Sequence, residues 1–182
     1  MKTLSLAIAA LLAGSAIQAP AFAQPVAETP VRQPDVIFVP TPPEVVDAML
    51  AMAGVRDGDV LYDLGSGDGR IPIAAAQKFD VKAVGIDIDP QRIAEANANA
   101  EEAGVTDKVT FLNEDLFEAD FSDATVITLY LLPTLNEKLM PRLKQLKPGT
   151  RIVSHAFLMG DWAPEKHEDI NGRMIYMWIV PG

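Results

Sequence analysis

The chain has 182 residues, with 15 basic and 25 acidic side chains, a formal net charge of −10, two histidines and no cysteine. This acidic balance argues against nucleic acid as a partner, and the absence of cysteine excludes disulfides and thiolate nucleophiles. His155 and His167 match no metal-ligand spacing, so we expect no metal site.

The first 23 residues have the pattern of a secretory signal peptide. Lys2 precedes an apolar run from Leu4 to Ile17, which is followed by the small-residue pattern Ala21-Phe22-Ala23. The run is shorter than the roughly 20 residues of a membrane-spanning helix. We therefore expect cleavage after Ala23, export to the periplasm and no stable membrane span in the mature protein. The alternative is an uncleaved segment that anchors the protein in a membrane.

Residues 24–34 are predicted to form an extended linker, because they are rich in proline, valine and alanine without any periodicity. A single domain, residues 35–182, follows. Its size fits one ordinary domain with one hydrophobic core.

Predicted strands and helices alternate along this domain. Thr41 with Glu44, and Thr134 with Glu137, have the spacing of capping boxes and are predicted to begin the first and last helices. The predicted helices end near Gly54, Phe79, Gly104 and Leu146, and the predicted strands cover residues 60–64, 81–87, 109–112, 124–131 and 150–158. This alternation is typical of an α/β fold with a largely parallel sheet between two layers of helices.

The end of the chain has a different pattern. Asn171-Gly172, a strong hairpin signal, separates two short runs from Glu165 to Ile170 and from Arg173 to Val180. The sheet is therefore predicted to finish with an antiparallel pair of strands.

A glycine-rich segment, Asp63-Leu64-Gly65-Ser66-Gly67-Asp68-Gly69, joins a buried strand to a helix. Parallel sheets bind ligands at such strand ends. The glycines alternate here, whereas the dinucleotide fingerprint has its third glycine one place later, where this chain has Arg70. The charge of Asp63 suits an ammonium group and would repel a pyrophosphate. A nucleotide-dependent oxidoreductase is therefore less favoured.

This segment resembles the first motif of class I S-adenosylmethionine-dependent methyltransferases. The resemblance implies S-adenosylmethionine as the cofactor and a Rossmann-like, doubly wound, mostly parallel sheet of seven strands that ends in an antiparallel hairpin. It implies cofactor contacts from Asp63, Gly65, Ser66 and Gly67, from Asp87 to the ribose hydroxyls, and from Asp115 to the adenine amino group. Asp87 lies 22 residues after Gly65, which also fits the general spacing of a ribose-binding acid.

The chain is more closely similar to the ATP synthase c-subunit lysine N-methyltransferase family. The similarity is carried by Phe38-Val39-Pro40-Thr41, by the segment from Gly65 to Ile71 and by Val84-Gly85 before Asp87. It implies methyl transfer to an unidentified acceptor, either a protein or a small molecule, for which protein lysine is one candidate. At Tyr130-Leu131-Leu132-Pro133 this chain departs from the animal enzymes.

Three residues are candidates for binding or activating the acceptor: Tyr130 after the fourth strand, His155 late in the fifth, and Asp161 beyond it. His155 can accept a proton from an amine, but a lone histidine in a buried strand also fits a structural role. Methyl transfer requires no dedicated base, because positioning can supply most of the catalysis.

Alternatives to this interpretation remain at the level of sequence. Asp63, Asp87 and Asp115 can also be explained as a helix cap, a turn residue and a loop acid. A non-catalytic module that binds an adenosyl compound is the alternative function.

Overall fold

The computed structural model describes residue 34 and residues 36–182. The predicted signal peptide and the predicted linker up to residue 33 lie outside the described residues. Within the described part, no helix combines the length and the apolar character that a membrane crossing requires.

Four helices and seven strands follow one another along the domain. The helices are α1 (Pro43–Ala53), α2 (Arg70–Phe79), α3 (Pro90–Ala103) and α4 (Pro133–Leu143). The strands are β1 (Val60–Leu64), β2 (Lys82–Asp87), β3 (Val109–Asn113), β4 (Val126–Leu129), β5 (Arg151–His155), β6 (Lys166–Ile170) and β7 (Arg173–Ile179).

All seven strands form one sheet in the order β3-β2-β1-β4-β5-β7-β6. The first five strands in that order are parallel, and β7 pairs antiparallel with both β5 and β6. The predicted α/β fold with a seven-stranded sheet is confirmed. From β1 the chain first adds β2 and β3 on one side and later β4 and β5 on the other, so a ligand crevice is expected at the carboxyl end of β1.

Side chains on the two faces of the sheet build two hydrophobic clusters. One cluster packs α1, α2 and α3 against one face through buried residues such as Met49, Ala75 and Ala96. The other packs α4 against the opposite face, where Leu139 meets the sheet that also contains Trp178. Successive strand residues such as Leu61 and Tyr62 enter different clusters, as the period of two in a strand requires. The sheet is therefore covered on both faces.

The final hairpin is confirmed. Ile170 pairs with Arg173 across the two-residue turn, where Asn171 and Gly172 have φ angles of 54° and 84°. Positive φ at both central positions is the geometry that asparagine and glycine favour in such turns.

Both predicted capping boxes are wrong. Pro42 and Leu132 are the N-cap residues of α1 and α4, and neither makes a side-chain capping hydrogen bond. A proline occupies the first helical position in each case, where its missing N–H costs nothing. The Thr41 hydroxyl instead lies 3.2 Å from Nδ1 of His155.

Several predicted boundaries extend too far. The fourth strand ends at Leu129 rather than Leu131, and α4 ends at Leu143 rather than near Leu146. The fifth strand ends at His155 rather than Leu158, because Ala156 has φ 66°, which lies in the left-handed region and ends the extended backbone.

Candidate functional site

The glycine-rich turn joins the end of β1 to the start of α2. Gly65, Gly67 and Gly69 have φ angles of 84°, 52° and 80°, in the region that side chains disfavour. The backbone N–H groups of Gly65 and Ser66 both donate to the carbonyl of Ile86 in β2, at 2.8 and 3.0 Å. The turn is therefore tied to the neighbouring strand.

Asp87 ends β2 beside this turn. Its Oδ2 accepts the backbone N–H of Gly67 at 2.8 Å, and its Oδ1 accepts the N–H of Asp89 at 2.9 Å. Each carboxylate oxygen has two lone pairs, so both retain the capacity to accept a further hydrogen bond. Two adjacent hydroxyl groups, such as those of a ribose, match that capacity.

Asp63 lies in β1, is buried, and accepts the hydroxyl of Thr128 at 2.7 Å. Burial raises the pKa of this carboxyl to about 7, against the hydrogen bond from Thr128, and the nearby charges of Asp87 and Asp68 add to the rise. A cation bound close to Asp63 would favour its ionised form.

A cavity of about 510 Å³ opens at these strand ends. Its volume falls within the range of about 300 to 1,000 Å³ that is usual for small-molecule sites. The wall combines the ends of the four strands β1 to β4 with a segment that precedes α1. The lining residues are Pro34, Val36, Ile37, Phe38, Val39, Thr41, Asp63, Gly65, Ser66, Asp68, Arg70, Ile71, Asp87, Ile88, Asp89, Arg92, Asp115, Leu116, Phe117, Tyr130, Leu131 and Leu135.

The charge of the cavity wall favours a cation. Five aspartates line it against two arginines. Arg70 is paired with Asp68, and Arg92 is paired with Glu95 at 2.7 Å. Within the described residues, no group of three or more potential ligands is arranged to hold a metal ion.

The segment before α1, residues 36–39, forms a wall that sequence reasoning missed. The Phe38 ring packs so close to Gly67 that a Cβ there would lie 2.2 Å from it, and the Arg92 guanidinium lies 4.9 Å from the ring centroid. Arg70 Nη1 donates to the carbonyl of Thr41 at 2.9 Å, which holds the segment at its end. Pro34, which belongs to the predicted linker, also lines the cavity. The only sequence signal was the family resemblance of Phe38 to Thr41, which assigned no role to them.

The structure brings together five of the six predicted cofactor residues along the cavity: Asp63, Gly65, Ser66, Asp87 and Asp115. The sixth, Gly67, donates its N–H to Asp87. Ser66 is buried, and its Oγ has no hydrogen-bond partner among the described residues. The cofactor contacts of these residues stay predictions.

The three acceptor-side candidates lie in different places. Tyr130 lines the cavity, and His155 lies behind it with the two ring centroids 3.9 Å apart. His155 is buried, and burial followed by the charge of Arg173 lowers its pKa to about 4. Asp161 is exposed, and neither it nor His155 is among the described residues that line the cavity.

Similarity to known proteins shows the family of this chain. The family described as the ANTKMT methyltransferase domain matches residues 63–166, more than half of the chain. The chain belongs to this family. A protein-lysine N-methyltransferase from Saccharolobus islandicus (strain REY15A) is 49% identical over 153 residues, covering 81% of this chain and 95% of that protein.

Two further relatives extend the comparison. The ATP synthase c-subunit lysine N-methyltransferase of Mus musculus is 30% identical, and the match covers 87% of this chain but 64% of the mouse protein. A crystal structure described as an RNA methyltransferase from Salinibacter ruber, in complex with S-adenosylhomocysteine, is 58% identical, with a TM-score of 0.77 and coverage of 79% of this chain and 94% of that one. The protein is an S-adenosylmethionine-dependent methyltransferase.

The chemistry of this methyltransferase's cavity fits that cofactor. S-adenosylmethionine has a positively charged sulfonium and an ammonium group, which suit a wall with an excess of aspartates. Its ribose hydroxyls suit the acceptor capacity of Asp87. Asp63 would face the ammonium group, and Asp115 would face the adenine.

Proposed function

We propose that this methyltransferase modifies the ε-amino group of a lysine in a protein. The support is the similarity to a protein-lysine N-methyltransferase over 95% of that protein's length, and to a c-subunit lysine N-methyltransferase over 87% of this chain. The aspartate-rich cavity suits a cationic cofactor, and its charge attracts a lysine side chain, which approaches from water as an ammonium group.

RNA is the rival acceptor, because the Salinibacter relative is described as an RNA methyltransferase. Proteins that bind nucleic acids neutralise phosphates with lysine and arginine side chains. This chain has a net charge of −10, and Arg70 and Arg92 at the cavity are already paired with acids. The charge therefore favours lysine over RNA.

Bound S-adenosylmethionine supplies an electrophilic methyl group on a positively charged sulfur. The protein's own contribution is to orient the acceptor and to exclude water. A lysine side chain is an ammonium in water, and only the neutral nitrogen can attack, so the side chain must first release a proton to solvent. The apolar wall of Val39, Leu131 and Leu135 favours this release, since desolvation lowers the pKa of an amine.

Tyr130 is the acceptor-side residue that this arrangement favours. Tyr130 follows the last residue of β4 and lines the cavity. The next residue, Leu131, lies close to Gly65 in the glycine turn. His155 supports the Tyr130 ring from behind and is too weakly basic, with its pKa lowered to about 4, to take a proton at neutral pH. We therefore assign His155 a positioning role and no role as a base.

Radiolabelled methyl transfer tests the proposal. The purified protein is incubated with labelled S-adenosylmethionine and, separately, with a protein extract and with total RNA from the same cells. Mass spectrometry of the labelled product is expected to find methyl groups on lysine and no label in RNA. Label confined to RNA would overturn the proposal, and so would the absence of label from both protein and RNA. Asp87→Ala is the inactive control.

A further inference from the structure

Arg142, on the last turn of α4, binds three backbone carbonyls of one loop. Its Nη1 donates to the carbonyls of Leu116 and Phe117 at 3.0 and 2.6 Å, and its Nη2 donates to the carbonyl of Ala119 at 2.5 Å. The guanidinium carbon also lies 4.4 Å from the centroid of the Phe121 ring. Arg142 itself is not among the described residues that line the cavity.

The loop that Arg142 binds, residues 115–121, begins as a tight turn around Asp115. The Asp115 carboxylate accepts the N–H of Phe117 at 2.9 Å, and the Asp115 carbonyl accepts the N–H groups of Glu118 and Ala119 at 2.8 and 2.9 Å. These bonds satisfy three N–H donors of the turn. Arg142 satisfies three carbonyls of the same loop, so the loop backbone is held through its donors by Asp115 and through its acceptors by Arg142.

The same loop forms one side of the cavity. Asp115, Leu116 and Phe117 all line it, beyond the end of β3. The Lys138 ammonium lies 3.6 Å from the centroid of the Phe117 ring. Helix α4 therefore contacts the loop twice, once through Lys138 and once through Arg142, and both contacts involve Phe117, which lines the cavity.

We propose that Arg142 is a positioning residue that sets the selectivity of the cofactor site for adenine. It holds the backbone of residues 116–119, and through that backbone it fixes where the Asp115 carboxylate and the Phe117 ring lie. This inference rests on cofactor binding with the adenine amino group at Asp115, and it does not depend on the identity of the methyl acceptor.

Arginine is suited to this role because its planar guanidinium presents several donors in a fixed fork. A lysine ammonium is a compact group that cannot span carbonyls of three residues with the same geometry. Arg142→Lys therefore keeps the positive charge near Phe121 and removes the geometry. Arg151→Lys is a matched control, because Arg151 also donates to two backbone carbonyls, those of Ala53 and Gly54, outside the cavity lining.

The test compares two ligands by calorimetry: S-adenosylhomocysteine, and S-inosylhomocysteine, in which a carbonyl replaces the adenine amino group. We expect the unmodified protein to prefer the adenine ligand by at least about tenfold, because a site built to pair an amino group rejects an analogue without it. Arg142→Lys should reduce this preference to about threefold or less, and Arg151→Lys should leave it within about twofold.

A second variant separates positioning from a general loss of structure. Asp115→Asn should reduce the same preference for the adenine ligand. The double variant Asp115→Asn with Arg142→Lys should reduce this preference no further than the more affected single variant does, because both substitutions act on one contact. Equal weakening of both ligands by Arg142→Lys would show a merely structural role and overturn the proposal. An unmodified protein without any preference between the two ligands would overturn it as well.

Discussion

Asp87 combines a structural and a ligand-binding position in one carboxylate. It accepts backbone N–H groups from the glycine turn and from Asp89, and the cavity lies on its remaining side. The carboxylate thereby holds Gly67 in place and keeps acceptor capacity for the ribose that is predicted to bind there. Removing the carboxylate is therefore expected to reduce both the stability of the protein and its affinity for the ligand.

We expect Asp87→Ala to weaken S-adenosylhomocysteine binding by about 30-fold to 1000-fold, since charge-assisted hydrogen bonds to both ribose hydroxyls are lost. The free energy of unfolding should also fall, by about 1 to 3 kcal/mol, because two backbone N–H groups lose their acceptor. Calorimetry and thermal unfolding measure the two effects.

Asp89→Ala is the comparison variant. Asp89 caps α3 by accepting the N–H of Gln91 at 2.8 Å, so its loss should cost about 1 kcal/mol of stability. Asp89 also lines the cavity, but in the predicted placement it binds neither ribose hydroxyl, so S-adenosylhomocysteine binding should weaken by no more than about threefold. If Asp89→Ala weakens binding and Asp87→Ala does not, the placement of the ribose is wrong.

The raised pKa of Asp63 makes ligand binding depend on pH. Burial, followed by the neighbouring carboxylates, holds this pKa at about 7, whereas the unfolded chain has the ordinary value for aspartate. Between these two values the folded protein binds the proton and the unfolded chain does not, so the stability of the ligand-free protein falls as pH rises through that window. A ligand ammonium beside Asp63 favours the ionised carboxylate.

We therefore expect affinity for S-adenosylhomocysteine to rise by up to about tenfold per pH unit below pH 7 and to level off above it. Asp63→Asn should abolish this dependence. Asp59→Asn is the control, because Asp59 is a buried carboxyl just before the other end of β1 and does not line the cavity. An unchanged pH profile in Asp63→Asn would show that another group titrates.

At the scale of elements, the segment before α1 and the glycine turn form one unit. The Phe38 ring occupies the space that a side chain at Gly67 would need, and Thr41 fixes the end of the segment through Arg70 and His155. The wall of the cavity is therefore built partly from chain that precedes the first helix.

Gly67→Ala should displace Phe38 and weaken S-adenosylhomocysteine binding by at least about tenfold. Gly104→Ala is a matched control, because Gly104 has φ 68° and open space around its Cα. Both variants should lose about 1 to 2 kcal/mol of stability from the left-handed backbone, but only Gly67→Ala should lose binding. The double variant of Gly67→Ala with Phe38→Ala should lose less binding free energy than the two single variants lose together. Full additivity of the two losses would contradict the contact between Phe38 and Gly67.

Local patterns in the sequence were sufficient for some of these elements. The glycine turn and the Asn171-Gly172 hairpin each depend on backbone preferences of adjacent residues, and both are present. The contact between Thr41 and His155 joins residues 114 positions apart, and the Arg142 contacts join residues 23 to 26 positions apart. Propensity and spacing contain no information on such pairs. The Thr41 capping box failed because that hydroxyl is used in a tertiary contact.

At the scale of the whole molecule, the acidic surface and the acidic cavity act in the same direction. A net charge of −10 attracts cationic ligands and repels polyanions, and five aspartates around the cavity concentrate that effect where the methyl group is transferred. Methyl transfer to a basic protein is therefore expected to be more sensitive to salt than binding of the small cofactor.

We expect the mature chain to begin at Gln24. The apolar run from Leu4 to Ile17 and the pattern Ala21-Phe22-Ala23 favour cleavage at that point. Cleavage there would leave the cavity wall, residues 36–39, in the mature protein, so a chain that starts at Gln24 should bind S-adenosylhomocysteine within about twofold of the full chain. Intact-mass measurement of protein from its native host, together with fractionation into periplasm, membrane and cytoplasm, checks the prediction. Retention of Met1 in the membrane fraction would instead support an uncleaved anchor, and retention in the cytoplasm would contradict both export and anchoring.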